Sequence, residues 1–143
     1  MIHNIRYRIF VYENEDEDEV LDALRNILPS ATVERELAEG MLDDEIVILS
    51  GIIDKKRYLK EFARGLLQLD KDQLDKLISD LDKKIDDKGN LFLRFSKSDA
   101  LDEIWTIVDS GDSIHLKVKI AAYPAKKENA LKNITEFLTN GNN

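Results

Sequence analysis

The chain has 143 residues, of which 43% are hydrophobic and 35% charged, so one domain, or two very small ones, with a real core is expected and disorder is not. Cysteine is absent and histidine is limited to His3 and His115, which excludes disulfides and thiolate nucleophiles, and a histidine-built zinc site unless carboxylates fill in. No apolar run approaches the ~20 residues that span a bilayer and no leader pattern opens the chain, so a soluble, cytoplasmic protein with no membrane partner is expected.

Residues 4–12 alternate, with Ile5, Tyr7, Ile9 and Val11 on one side and Arg6, Arg8, Phe10 and Tyr12 on the other, which predicts a strand with one apolar face. The period then changes. Val20, Leu21, Leu24, Ile27 and Leu28 form one helical stripe over 15–28, with Asn14 as its cap and Pro29 as its stop. Residues 32–39 and 45–52 read as two strands around Gly40, the second apolar enough to be central. A helix is expected from Asp54, with Tyr58, Leu59, Phe62 and Leu66 inward. Asp70 and Gln73 resemble a capping box ahead of the stripe Leu74, Leu77, Ile78, Leu81 and Ile85.

Lys88, Gly89 and Asn90 form a turn before a strand over 91–96. A short helical turn follows at 97–102. Strands at 104–109 and 113–122 flank Ser110, Gly111 and Asp112, a hairpin signal. Pro124 suits the first position of a last helix, whose stripe is Leu131, Ile134, Phe137 and Leu138, with Gly141 as its stop. Strands and helices mix without strict alternation. The expected fold is therefore α+β: a mainly antiparallel sheet with helices on one face, in a single domain spanning residues 1–143.

The formal charge is −8, which taken globally repels polyanions. However, Glu13, Glu15, Asp16, Glu17, Asp18, Glu19 and Asp22 carry seven of those negative charges within ten residues, and without them the chain stands at −1. Such a run suits the positive end of a helix. It lacks the central glycine and terminal glutamate of a calcium loop.

Away from that run, three distant strands place positive charge opposite their aliphatic residues: Arg6 and Arg8, then Arg94, then His115, Lys117 and Lys119. None of these outward positions is acidic. Guanidinium and ammonium groups neutralise phosphates, and the interleaved Phe10, Tyr12 and Phe92 are rings on which unpaired bases can stack. The same pattern also fits basic residues that merely decorate exposed strands. Lys55, Lys56, Arg57, Lys60 and Arg64 on one helix, and Lys126, Lys127 and Lys132 on another, read first as solvated faces, and either cluster could extend a phosphate track if it lies at the sheet rim. No P-loop, GxGxxG or GxSxG pattern occurs, so no cofactor and no catalytic site is expected.

Three blocks carry a resemblance: IRYRIFVYENEDEDEVLDALRNILP at residues 5–29, DDKGNLFLRFSK at 86–97 and HLKVKIAAYPAKKENALKNI at 115–134. Together they resemble a small archaeal family described as RNA-binding proteins and predicted exosome subunits. The resemblance implies a compact α+β domain similar to one large-subunit ribosomal protein and compared with double-stranded-RNA-binding folds, with shape rather than sequence readout of RNA. It also implies RNA binding, with exosome or other RNA-processing proteins as partners and no catalytic residues. Arg8, Arg94, Lys97, Lys117 and Lys119 lie within the matching blocks, and with Arg6 they make the expected RNA-binding set.

Two segments depart from the family pattern. Gly40 to Glu45 is acidic where relatives carry a Gly-Asn-Pro-like loop, and Ser98 to Leu101 replaces a Gln-Ala-Ala-Tyr-like turn. An alternative reading, a protein–protein adaptor or homodimer, rests on the same aromatic and arginine residues.

Overall fold

The computed structural model describes residues 1–39 and 44–141. Its elements are β1 (Ile2–Val11), α1 (Glu17–Ile27), β2 (Glu34–Glu39), β3 (Glu45–Ile53), α2 (Lys56–Leu67), α3 (Lys71–Lys84), β4 (Asn90–Ser96), α4 (Lys97–Leu101), β5 (Ser113–Ile120) and α5 (Lys127–Asn140). The strands are hydrogen-bonded in the order β2-β3-β1-β5-β4. The α+β class and the mainly antiparallel sheet expected from the sequence are what is found. β2 and β3 pair antiparallel from Glu34 opposite Ser50 to Glu39 opposite Glu45. β3 is interior, as its apolar run predicts.

Two compact units make up the chain. One comprises Met1–Ile5, Ile53–Leu93 and Leu116–Asn143; the other comprises Arg6–Ile52 and Arg94–His115. In the first unit Leu59, Phe62, Leu66, Leu77, Leu81, Leu91, Leu93, Val118, Ile120, Ile134 and Leu138 are buried, and α3 packs on α5. In the second, Tyr7, Ile9, Val11, Val20, Leu24, Ile27, Leu49, Phe95 and Ile114 are buried, and α1 packs on α4. Each such aliphatic side chain contributes about 1.5–3 kcal/mol when removed fully from water. That is why strand parity and helix stripe decide which way each element faces.

Local chemistry explains most boundaries. Asp16 rather than Asn14 caps α1, accepting the Asp18 N–H at 2.9 Å, and Glu17, Asp18 and Glu19 fill its positive first turn. Asp70 caps α3, accepting the Gln73 N–H at 2.9 Å. Lys55 precedes α2, so Asp54 lies outside that helix. Pro124 likewise lies ahead of α5, whose cap is Lys126, and the Tyr123–Pro124 peptide is cis. Gly141 ends α5 at φ 81°, a conformation glycine adopts without a Cβ penalty.

The expected strand at 104–109 does not form. Ile107 makes one isolated bridge, to Phe95 of β4. Thr106 and Val108 exchange backbone bonds with Ser96 and Arg94 at 2.8 and 2.9 Å, so this segment lies along β4 and does not form a hairpin with β5. Trp105 is the competing force: its ring meets Phe95 edge-on at 5.3 Å and its Nε1 donates to the Asn26 carbonyl at 3.2 Å. The turn expected at Gly40, and most of the acidic segment from Gly40 to Glu45, fall on residues 40–43, outside the described residues.

Candidate nucleic-acid interface

In the second unit β1 buries Tyr7, Ile9 and Val11 and leaves Arg6 and Arg8 exposed, with Phe10 half-buried on the same side. The Arg8 guanidinium lies over the Phe10 ring, 5.3 Å from its centroid. Phe10 in turn meets His115 of β5 edge-on at 5.9 Å. His115 has its pKa pushed below the usual histidine value. Burial is the largest cause, followed by the positive charges of Arg94 on β4 and Arg8 on β1, with Asp112 pulling the other way. Arg8, Arg94 and His115 therefore converge from three strands that the sheet order sets side by side. This much of the expected basic face exists.

Lys97 does not belong to it. Only 6% of Lys97 is exposed. Its ammonium donates to the Phe10 carbonyl at 2.7 Å and pairs with Glu15 and Asp112, both at 2.9 Å. A buried ammonium satisfied by two carboxylates and a carbonyl has no donor left to offer a phosphate, so it drops out of the expected binding set. Asp112, the carboxylate that acts on His115, is thus already engaged by Lys97.

The first unit holds the other two expected lysines. Lys117 is exposed, and Lys119 is half-buried with its ammonium donating to the Lys88 carbonyl. Beside this strand Asp86 closes the 88–90 turn, accepting the N–H groups of Asn90 and Lys88 at 2.9 and 3.0 Å. Burial opposes its ionisation. The bonds from Asn90 and Lys88 and the charge of Lys117 outweigh that and hold its pKa below the ordinary carboxylate value. The sequence reading missed this carboxylate, because Asp86 sits outside the alternating strand positions. Phe92 is exposed on β4.

Lys55, Lys56, Arg57, Lys60 and Arg64 are exposed, with Arg57 stacked on Tyr58 at 4.7 Å, and Lys127 pairs with Asp82 at 3.4 Å. Among the described residues no group of histidines and carboxylates could hold a metal, and no helix is long and apolar enough to cross a membrane.

Comparison with known proteins places these features in a family setting. A family model described as "RNA binding" matches residues 4–120. The RNA-binding protein PAB1135 of Pyrococcus abyssi is 32% identical over 95% of this chain and 93% of its own length. The solved structure of Mth689, a DUF54 protein from Methanothermobacter thermautotrophicus, superposes with a TM-score of 0.87 at 46% identity, covering 96% of this chain and 98% of that one. Protein AF2318 of Archaeoglobus fulgidus, also a DUF54 protein, superposes at 0.83 with 26% identity, covering 95% and 99%.

Proposed function

The chain belongs to the RNA-binding family, and from that membership we propose that residues 1–143 serve as a single, non-catalytic RNA-binding domain. The observation that supports the reading is the convergence of exposed Arg8 with half-buried Arg94 and His115 on the side of three strands opposite their buried residues. Arg8 and Arg94 neutralise backbone phosphates, with exposed Arg6 as a further cation on β1. Of the two expected lysines in the first unit, Lys117 is exposed and Lys119 is tied to the Lys88 carbonyl. The name of the Pyrococcus protein and the likeness of the three sequence blocks support RNA as the ligand. A role beside the exosome in cytoplasmic RNA processing extends the same reading and rests on that sequence likeness.

Salt titration of RNA affinity is the test. The double variant Arg8→Gln, Arg94→Gln is expected to weaken binding and to flatten the dependence of log K on log salt by about 0.7 for each single-strand phosphate no longer neutralised. An unchanged slope removes these two arginines from the mechanism.

A further inference from the structure

Tyr12 stands one residue beyond β1, on the same side as Arg8 and Phe10, and is 40% exposed. Exposed tyrosines usually sample several rotamers, but this one has a buried cation against its ring. The buried Lys97 ammonium sits 5.0 Å from its ring centroid. That ammonium cannot wander, because the Phe10 carbonyl, Glu15 and Asp112 hold it. The Tyr12 backbone is held as well: its N–H donates to Glu15 Oε1 at 3.0 Å and its carbonyl accepts the Glu15 N–H at 2.9 Å. The Phe10 ring lies alongside, 6.4 Å away and tilted by 31°.

We infer that Tyr12, backed by Lys97, is a stacking platform for an unpaired base, so that the RNA taken by this face is single-stranded. The inference rests on the RNA-binding reading above and names the ligand class for the same face. A ring fixed before binding loses little conformational freedom when a base stacks on it. The ammonium on the inner side draws π density inward, which favours a nucleobase over a second cation on the outer side. Arg8, seated over the neighbouring Phe10, is placed for the phosphate beside that base. An A-form duplex keeps its bases stacked inside and shows phosphates and 2′-hydroxyls, leaving Tyr12 nothing to stack on. Buried Lys97 is thereby a positioning residue that touches no RNA.

The test uses the full chain with a labelled oligouridylate and a labelled RNA duplex, read by fluorescence anisotropy. Tyr12→Ala is expected to weaken oligouridylate binding about 5- to 150-fold while leaving the duplex affinity unchanged, and Tyr12→Phe is expected to retain most of the wild-type affinity. Lys97→Met is expected to weaken oligouridylate binding more in the wild-type background than in the Tyr12→Ala background, where only the unmasked Asp112 still acts. Equal losses on both RNAs, or none on oligouridylate, overturn the stacking role while RNA binding stands. An equal weakening from Lys97→Met in both backgrounds overturns the positioning role. Failure of the wild-type protein to bind either RNA overturns the RNA-binding reading itself.

Discussion

Lys97→Met is the substitution whose cost the geometry defines best. Methionine keeps the packing of the aliphatic stem and removes only the ammonium. Its removal leaves the Phe10 carbonyl without its 2.7 Å donor, a penalty of about 1–3 kcal/mol for a buried acceptor. Breaking a fully buried ion pair costs about 3–5 kcal/mol, but the partner side chains here are 26% exposed for Glu15 and 46% for Asp112, so water recovers part of their solvation. The expected destabilisation is about 2–4 kcal/mol, the carbonyl penalty plus a discounted share of the pair. At 143 residues total stability is about 7–21 kcal/mol, so the variant should remain folded. Urea unfolding reads the effect as a lower midpoint at unchanged slope, and Tm should fall by about 10 °C. Glu15→Gln, which leaves Asp112 in place, should cost less. A destabilisation below about 1 kcal/mol for Lys97→Met would show that the ammonium is dispensable and that its bonds do not organise this corner of the fold.

Gly51→Ala should destabilise by about 1–3 kcal/mol, because a Cβ there runs into the Tyr7 hydroxyl, which is buried on the Thr32 carbonyl; urea unfolding of this single variant checks it. His115 should give stability and binding opposite pH trends. Its folded pKa lies below the unfolded 6.5, so its neutral form costs nothing at pH 8, and stability is lost as pH falls through 6.5 toward the folded value; His115→Gln should flatten that decline in thermal melts. An arriving phosphate favours the protonated ring, so RNA affinity should instead rise as pH falls over the same range and the rise should disappear in His115→Gln.

Periodicity made most of the fold legible. The alternation of Ile5, Tyr7, Ile9 and Val11 against Arg6 and Arg8 fixes which side of β1 is covered, and within the expected stripes Val20, Leu24 and Ile27 of α1, Leu77 and Leu81 of α3 and Ile134, Phe137 and Leu138 of α5 are buried, while Leu21, Leu74, Ile78 and Leu131 are half-buried. The segment 104–109 misled because its β-branched residues fit a strand, whereas the large Trp105 ring found better burial against Phe95 and left only a bridge. Lys97 shows what parity can and cannot say. It shares parity with Leu91, Leu93 and Phe95, all buried, so strand alternation alone points it inward; the family likeness pointed it to RNA. The chain turns there because the Ser96 hydroxyl accepts the Asp99 N–H at 3.2 Å and starts α4. Its partners Glu15 and Asp112 lie far off in sequence, and no spacing rule brings them together.

Three acids of the run that gives the chain its net charge serve structure on the second unit. Asp16 caps α1, Glu17 grips Arg35 at 3.0 Å and Glu15 holds Lys97. Those carboxylates are spent on local partners, and at physiological salt their fields fade over about 8–10 Å. A formal −8 therefore says little about the potential at Arg8 and Arg94. Asp112 is the carboxylate with a resolved pull on His115, and its charge is met at 2.9 Å by the same ammonium that backs Tyr12. Removing that ammonium should unmask Asp112 and raise the His115 pKa, a shift that the imidazole resonances of the Lys97→Met protein would report in an NMR titration. The residue that looked like one more phosphate ligand thus matters by being buried: it cancels an acid beneath the basic cluster and fixes a ring above itself.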